Sequence, residues 1–131
     1  MGSNPVVHFE IYVQDMARAR AFYEAVLGIE LQKMPAPTPA LDMDMWFFPM
    51  DPEAGMTTYG AGGMLVKQDG FAAGGSGTVV YFGCEDCAAQ AALAAAHGGS
   101  VRLPKTSLGE HGFCALVCDT EGNLIGFHSD H

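Results

Sequence analysis

The chain repeats itself. When HFEIYVQDMARARAFYEAVLG is set beside VVYFGCEDCAAQAALAAAHGG, Asp15 falls on Asp86 and Gly28 on Gly99. Both pairs stand at an offset of 71, with 13 residues from Asp to Gly in each copy. Self-similarity on this scale marks two copies of one supersecondary unit that share a core, because neither copy has enough apolar surface to fold well alone. Whatever this chain folds into must therefore have two related halves.

The first half can be read in detail. VVHFEIYV alternates: Val7, Phe9, Ile11 and Val13 point one way, and Val6, His8, Glu10 and Tyr12 the other. Asp15 is placed to cap a helix. Ala19, Phe22, Tyr23, Val26 and Leu27 form its apolar stripe, and Gly28 stops it. A short strand at 29–34, a Pro-rich loop at 35–40, a strand through MWFFPM and another through GGMLVK follow. In the second half TVVYFGC is a strand, Asp86 a cap, 87–97 an Ala-rich helix and Gly98-Gly99 its stop. VRLP, FCALVC and NLIGFHS are the last strands. The chain thus reads as α+β, two tandem βαβββ modules in one domain spanning 1–131. Module one covers about 5–67, a linker 68–77 and module two about 78–130.

Composition narrows the partners. A hydrophobic fraction of 49% with 16% charged residues describes a globular chain. The net charge of -9 argues against nucleic acid or an anionic membrane and is compatible with a cationic ligand. No apolar run reaches the roughly 18 residues of a membrane span, and no signal-peptide pattern opens the chain, so a cytoplasmic protein is expected. The four cysteines, Cys84 and Cys87 as CxxC and Cys114 and Cys118 as CxxxC, raise a zinc reading. Against it, FCALVC reads as a strand and nothing brings the two pairs together. Four reduced cysteines serving as small apolar residues is the alternative. The glycine-rich GAGG at 60–63 leads into a strand, which removes the helix N-terminus that a phosphate cradle needs.

HFEIYVQDMARARAFYEAVLG at the front and DTEGNLIGFHS at the back resemble the vicinal oxygen chelate superfamily, the latter its DPxGxxxE turn and strand. That superfamily includes glyoxalase I, bleomycin-resistance proteins, fosfomycin-resistance transferases and extradiol dioxygenases. The resemblance implies a cupped mixed sheet, a homodimer and a small-molecule site inside the cup. It also implies four metal-ligand positions. Carried over one by one, they fall on His8, Met64, Val79 and Gly126. A thioether, an isopropyl group and a bare backbone make poor ligands for Zn, Ni, Mn or Fe(II). No metal cofactor is therefore expected at the usual quartet, because one imidazole is not enough.

The strand period of two decides what shares the cup with His8. Glu10 and Tyr12 follow on the first strand, Met64 and Val66 lie on the fourth, Val79, Tyr81 and Gly83 on the fifth, and Leu124, Gly126 and His128 on the eighth. Phe9, Ile11, Val80, Phe82, Ile125 and Phe127 back onto the helices. The cup is mostly apolar, with His8, Glu10, His128, Tyr12 and Tyr81 as polar groups, as small-molecule sites usually are. Three readings of His8, Glu10 and His128 stand open. Glu10 as base, with His8 as acid or base, could do proton chemistry on a bound substrate. The three could hold a relocated Zn, Ni, Mn or Fe ion. Or they simply satisfy one another's hydrogen bonds. Trp46 and Phe48 are candidate pocket walls. Lys105 is placed to greet an anionic substrate at the mouth, and LGEHG, with Glu110 and His111, could serve as a lid. The function read from this set is binding of a small, partly apolar organic molecule. A metal-dependent lyase, isomerase or dioxygenase and a drug-sequestering protein are the alternatives.

Overall fold

The computed structural model describes residues 8–35, 42–50 and 60–131. The beginning of the first strand at Val6 and Val7, and the Pro-rich loop beyond Pro35, lie outside the described residues. The elements run β1 (His8–Tyr12), α1 (Met16–Leu27), β2 (Gln32–Met34), β3 (Met43–Phe47), β4 (Gly62–Gln68), β5 (Gly75–Gly83), α2 (Cys87–Ala96), β6 (Ser100–Ser107), β7 (Phe113–Cys118) and β8 (Asn123–Ser129). A 3-10 turn, Gly109–His111, falls in the stretch read as a possible lid. The strands form two four-stranded mixed sheets of matching order, β1-β4-β3-β2 and β5-β8-β7-β6. In each, the first and last strands of the module pair in parallel and the others antiparallel. These are the two βαβββ modules expected from the repeat. Two bounds differ from the reading. β5 starts at Gly75, inside the stretch taken as linker, and β6 runs on to Ser107 because two register shifts let it follow β7 further than VRLP suggests.

Both helices begin as the sequence requires. Asp15 accepts from Arg18 N at 3.1 Å and Asp86 from Ala88 N at 3.0 Å, each in extended backbone. These bonds satisfy N–H groups that the first helical turn leaves without a partner. Gly28 ends α1 in the left-handed region at φ 65°. The equivalent role in α2 belongs to Gly98, at φ 98°, one residue before the glycine that the repeat aligns. Gly99 is there for a different reason, close approach. A Cβ on it would lie 2.5 Å from the Cys118 carbonyl oxygen and 3.0 Å from that of Ala94.

One apolar core joins the modules. Val13, Phe22, Tyr23, Val26, Leu65, Ala94, Val117, Ile125 and Phe127 are buried in it, and Phe9, Trp46 and Phe82 pack against it from the sheets. Of the set that the strand period assigns to the helices, Ile11, Ile125 and Phe127 are buried and Phe9 and Phe82 pack against them, while Val80 is half-buried at the edge of its sheet. α2 presents alanines here, and its small side chains let Gln90 reach across to donate to the Val26 carbonyl at 2.9 Å. A smaller cluster, Met45, Met64 and Val66, lies on the opposite, concave face of the first sheet.

The DTEGN turn between β7 and β8 fastens module two onto module one. Glu121 accepts from Gln14 N (2.9 Å) and Asp15 N (3.0 Å), and from Arg18 Nε (2.7 Å) and Nη2 (2.9 Å). Asn123 Nδ2 donates to the Tyr12 carbonyl at 3.0 Å. Asp119 holds the turn by accepting from Glu121 N and Asn123 N, both at 2.8 Å, and its other oxygen accepts from the Tyr23 hydroxyl at 2.6 Å. Tyr23 is buried. That burial, with the Asp119 charge and the hydrogen bond, pushes its phenol well above the ordinary value. Tyr23→Phe keeps the shape and deletes a bond to a buried carboxylate. It is expected to cost about 2 kcal/mol, seen as a lower urea midpoint with an unchanged slope. A midpoint within error of the parent would show that the bond contributes nothing net.

Candidate functional site

The concave face of β1 carries His8, Glu10 and Tyr12 in line, as alternate residues of one strand. The Tyr12 hydroxyl donates to Glu10 Oε1 at 2.8 Å, and His8 Nε2 stands 3.4 Å from Glu10 Oε2. All three are partly exposed. Burial, then the hydrogen bond to Glu10 and the charge of that carboxylate, raise the Tyr12 phenol, so it stays a donor at neutral pH. The Phe71 ring stacks on Tyr12 with centroids 5.0 Å apart and planes 15° apart. Phe71 was hidden in the stretch read as a linker, and no local pattern marks it, since a lone Phe among glycines carries no periodicity.

Beside this line, a cavity of about 220 Å³ opens along the seam between the modules. One wall is Glu10, Ile11 and Tyr12 of β1. The other is Thr78 and Val80 of β5 with Leu124 and Ile125 of β8, and Ala72, Gly74, Gly75, Gly77 and Asn123 close the end. β1 pairs only with β4, and β5 only with β8, so the edges of two sheets face each other here. Between Gly75 and Val80 the register of β5 against β8 shifts, which bends the strand at its glycines. Among the described residues Glu10 is the one charged side chain lining the cavity.

The four metal positions implied by resemblance do not suit a metal. His8 offers an imidazole, Met64 is buried in the methionine cluster of the concave face, Val79 offers nothing, and Gly126 is covered. A Cβ at Gly126 would lie 2.5 Å from Tyr81 Cδ1 and Cε1, because the Tyr81 ring rests on the bare backbone there. The relocated set is not assembled either. Among the described residues no three of His, Cys, Asp and Glu are grouped to hold an ion. His128 directs Nε2 at the His111 carbonyl, 2.7 Å away, so this nitrogen carries the proton and has no lone pair for a metal. The zinc reading of the cysteines ends likewise. All four are free, Cys87 and Cys114 are buried, and burial foremost, then the charges of Cys87 and Asp86, push the Cys84 thiol up.

Three other expected contacts lie elsewhere. Trp46 is the register partner of Leu65 and so faces the helices. There it lies under the Arg20 guanidinium at 3.5 Å and donates its indole N–H to Asp44 at 3.0 Å. Phe48, two residues on, shares that face and packs into the core against Tyr23 and Phe82. Their odd-numbered neighbours Met45 and Phe47 are the ones on the concave face. Lys105 donates to Asp86 Oδ1 at 2.9 Å and lies over the Phe113 ring, so it braces the cap of α2. The Lys105 bond, with that of Ala88 N–H, outweighs desolvation and lowers the Asp86 carboxyl.

The family model for the bleomycin resistance protein-like N-terminal region matches residues 6–41. Solved structures match along nearly the whole chain. A glyoxalase I variant from Zea mays is 20% identical at a TM-score of 0.72, covering 96% of this chain and 47% of its own, so this chain spans about half of the maize protein. A glyoxalase/bleomycin resistance protein from Albidiferax ferrireducens T118 is 20% identical at a TM-score of 0.65, covering 96% and 98%. The trypanothione-dependent glyoxalase I of Leishmania major is 24% identical at a TM-score of 0.67, covering 98% and 88%. No curated protein sequence matches the chain significantly. The fold is that of the glyoxalase/bleomycin resistance/dioxygenase proteins, the fold that the sequence resemblance implied.

Proposed function

We propose that this protein binds a small, partly apolar organic molecule at the seam between its modules, with the Glu10 carboxylate as the polar anchor. The observation that carries this is the seam cavity, lined by apolar and polar surface together, with Glu10 as the one carboxylate among the described residues on its wall. Tyr12 holds one oxygen of that carboxylate, which fixes its direction and leaves lone pairs for a ligand donor. A chain with a net charge of -9 draws cations toward such a site. Sequestration of a cationic compound fits both the charge and the bleomycin resistance-like match at the N-terminal end.

A second reading gives the same residues a reaction. The His8–Glu10–Tyr12 line sets an imidazole and a phenol beside a carboxylate, an arrangement in which Glu10 takes a proton from a bound substrate. The wider proposal has the chain working as a homodimer in the cytoplasm, consistent with the absence, among the described residues, of any helix long and apolar enough to cross a membrane.

Glu10→Gln separates these readings. It keeps the shape and removes the charge. Affinity for small organic ammonium compounds is expected to fall about tenfold, which is about 1.4 kcal/mol, measured by calorimetry or by chemical shifts of seam residues. Unchanged affinity would remove Glu10 from the site. A variant that still binds a substrate but no longer turns it over would favour the enzyme.

A further inference from the structure

We propose that the ligand carries a flat aromatic ring beside its cationic group, and that Tyr81, seated on Gly126, selects for that ring. This rests on the seam as the binding site and adds the shape of what binds there. Tyr81 and Gly126 are register partners on β5 and β8. The space a Cβ would take at Gly126 holds the edge of the phenol ring, with Cγ 3.0 Å away. Any side chain at position 126 would push the ring off. Seated there, Tyr81 keeps 51% of its surface exposed, the largest exposed fraction among the big apolar side chains described. It lies on the concave face, because Val80 and Phe82 face the other way.

The course of the seam sets Tyr81 level with Glu10. Phe9 meets Phe82 with centroids 6.1 Å apart, and Ile11 faces Val80 across the cavity. As β1 advances from 9 to 11, β5 therefore retreats from 82 to 80. Glu10 and Tyr81 sit between these pairs on the same face, one from each module. A ring lying on the Tyr81 face can then direct an ammonium group one carbon away at the Glu10 carboxylate. Offset stacking and the attraction of a cation to an aromatic face both act at such a spot.

The test compares three probes on the full-length 15N-labelled protein: benzylamine, cyclohexylmethylamine and benzyl alcohol. The two amines share a charge and differ in the flat π-face. Benzylamine is expected to bind about fivefold tighter than cyclohexylmethylamine. That ratio should fall toward one in Tyr81→Leu and in Gly126→Ala, and hold in Tyr81→Phe, which also controls for folding. In Glu10→Gln, benzylamine should bind no better than benzyl alcohol. Equal binding of the two amines by the parent protein, or a ratio unmoved in Tyr81→Leu, would overturn the ring selection and leave the seam reading standing. No shift of any seam resonance with either amine would overturn both.

Discussion

Glu121→Ala is expected to lower the unfolding free energy by about 3 kcal/mol at neutral pH, read as a lower urea midpoint. Its carboxylate has no solvent-exposed side-chain surface and gathers two backbone N–H groups, a guanidinium and the Thr120 hydroxyl. Removing it strands the Gln14 and Asp15 N–H groups at the entrance to α1 and unties the two modules in one step. A loss that large would be a substantial share of the stability of a domain this size. The same group should make the fold acid-labile. Burial alone would raise its pKa, but the Arg18 guanidinium, the two backbone donors and Thr120 outweigh that and hold the folded value at about 2 against an ordinary 4.5. A depressed carboxyl contributes stability that is full above the unfolded value and lost as pH falls through the folded one. The difference in stability between the parent protein and Glu121→Gln should therefore shrink between about pH 4.5 and 2. A difference constant with pH across that window would show that the charge of Glu121 does not matter to folding.

The second large effect belongs to Gly99. Gly99→Ala is expected to cost about 2–4 kcal/mol, the scale of overpacking where the neighbours cannot yield. The new methyl would meet the backbone carbonyls of Cys118 and Ala94 and the edge of the Phe22 ring at 2.9 Å. Two of those three are main chain, tied into β7 and α2, so relief requires the helix and the strand to part. Gly28→Ala is the informative partner. Nothing lies within 4 Å of a Cβ at Gly28, and its cost comes only from φ 65°. It should be the milder of the two. Equal thermal shifts in both variants would mean that α2 can move off the sheet freely and that the close approach is not tight.

These two glycines show how far the sequence could be read. The repeat aligns them, and the alignment holds at the level of the module, strand then capped helix then strands. It fails at the level of the residue, since one glycine supplies a backbone angle and the other supplies room. The faces of the strands were legible for the same reason that the modules were. Alternation is a local property, and it set Ile11, Ile125 and Phe127 against the helices and His8, Glu10, Tyr12 and Tyr81 away from them. Trp46 and Phe48 went astray because MWFFPM is apolar on both faces and carries no alternation, so only pairing with Leu65 decides its register. Lys105 went astray because a charge at a strand end points nowhere until its partner, here Asp86, is known.

What the sequence determined by itself, then, is two βαβββ modules, their caps and stops, and the core face of those strands that alternate. Those follow from propensity, period and side-chain chemistry, which act over a few residues. Only the tertiary structure decided that Glu121 clasps the start of α1, that Phe71 covers Tyr12, that His128 turns to a carbonyl and that Tyr81 lies where Gly126 leaves space. Each of these joins residues far apart in the chain or lying on different strands. Such contacts depend on how strands, turns and whole sheets come together, and no local pattern encodes that.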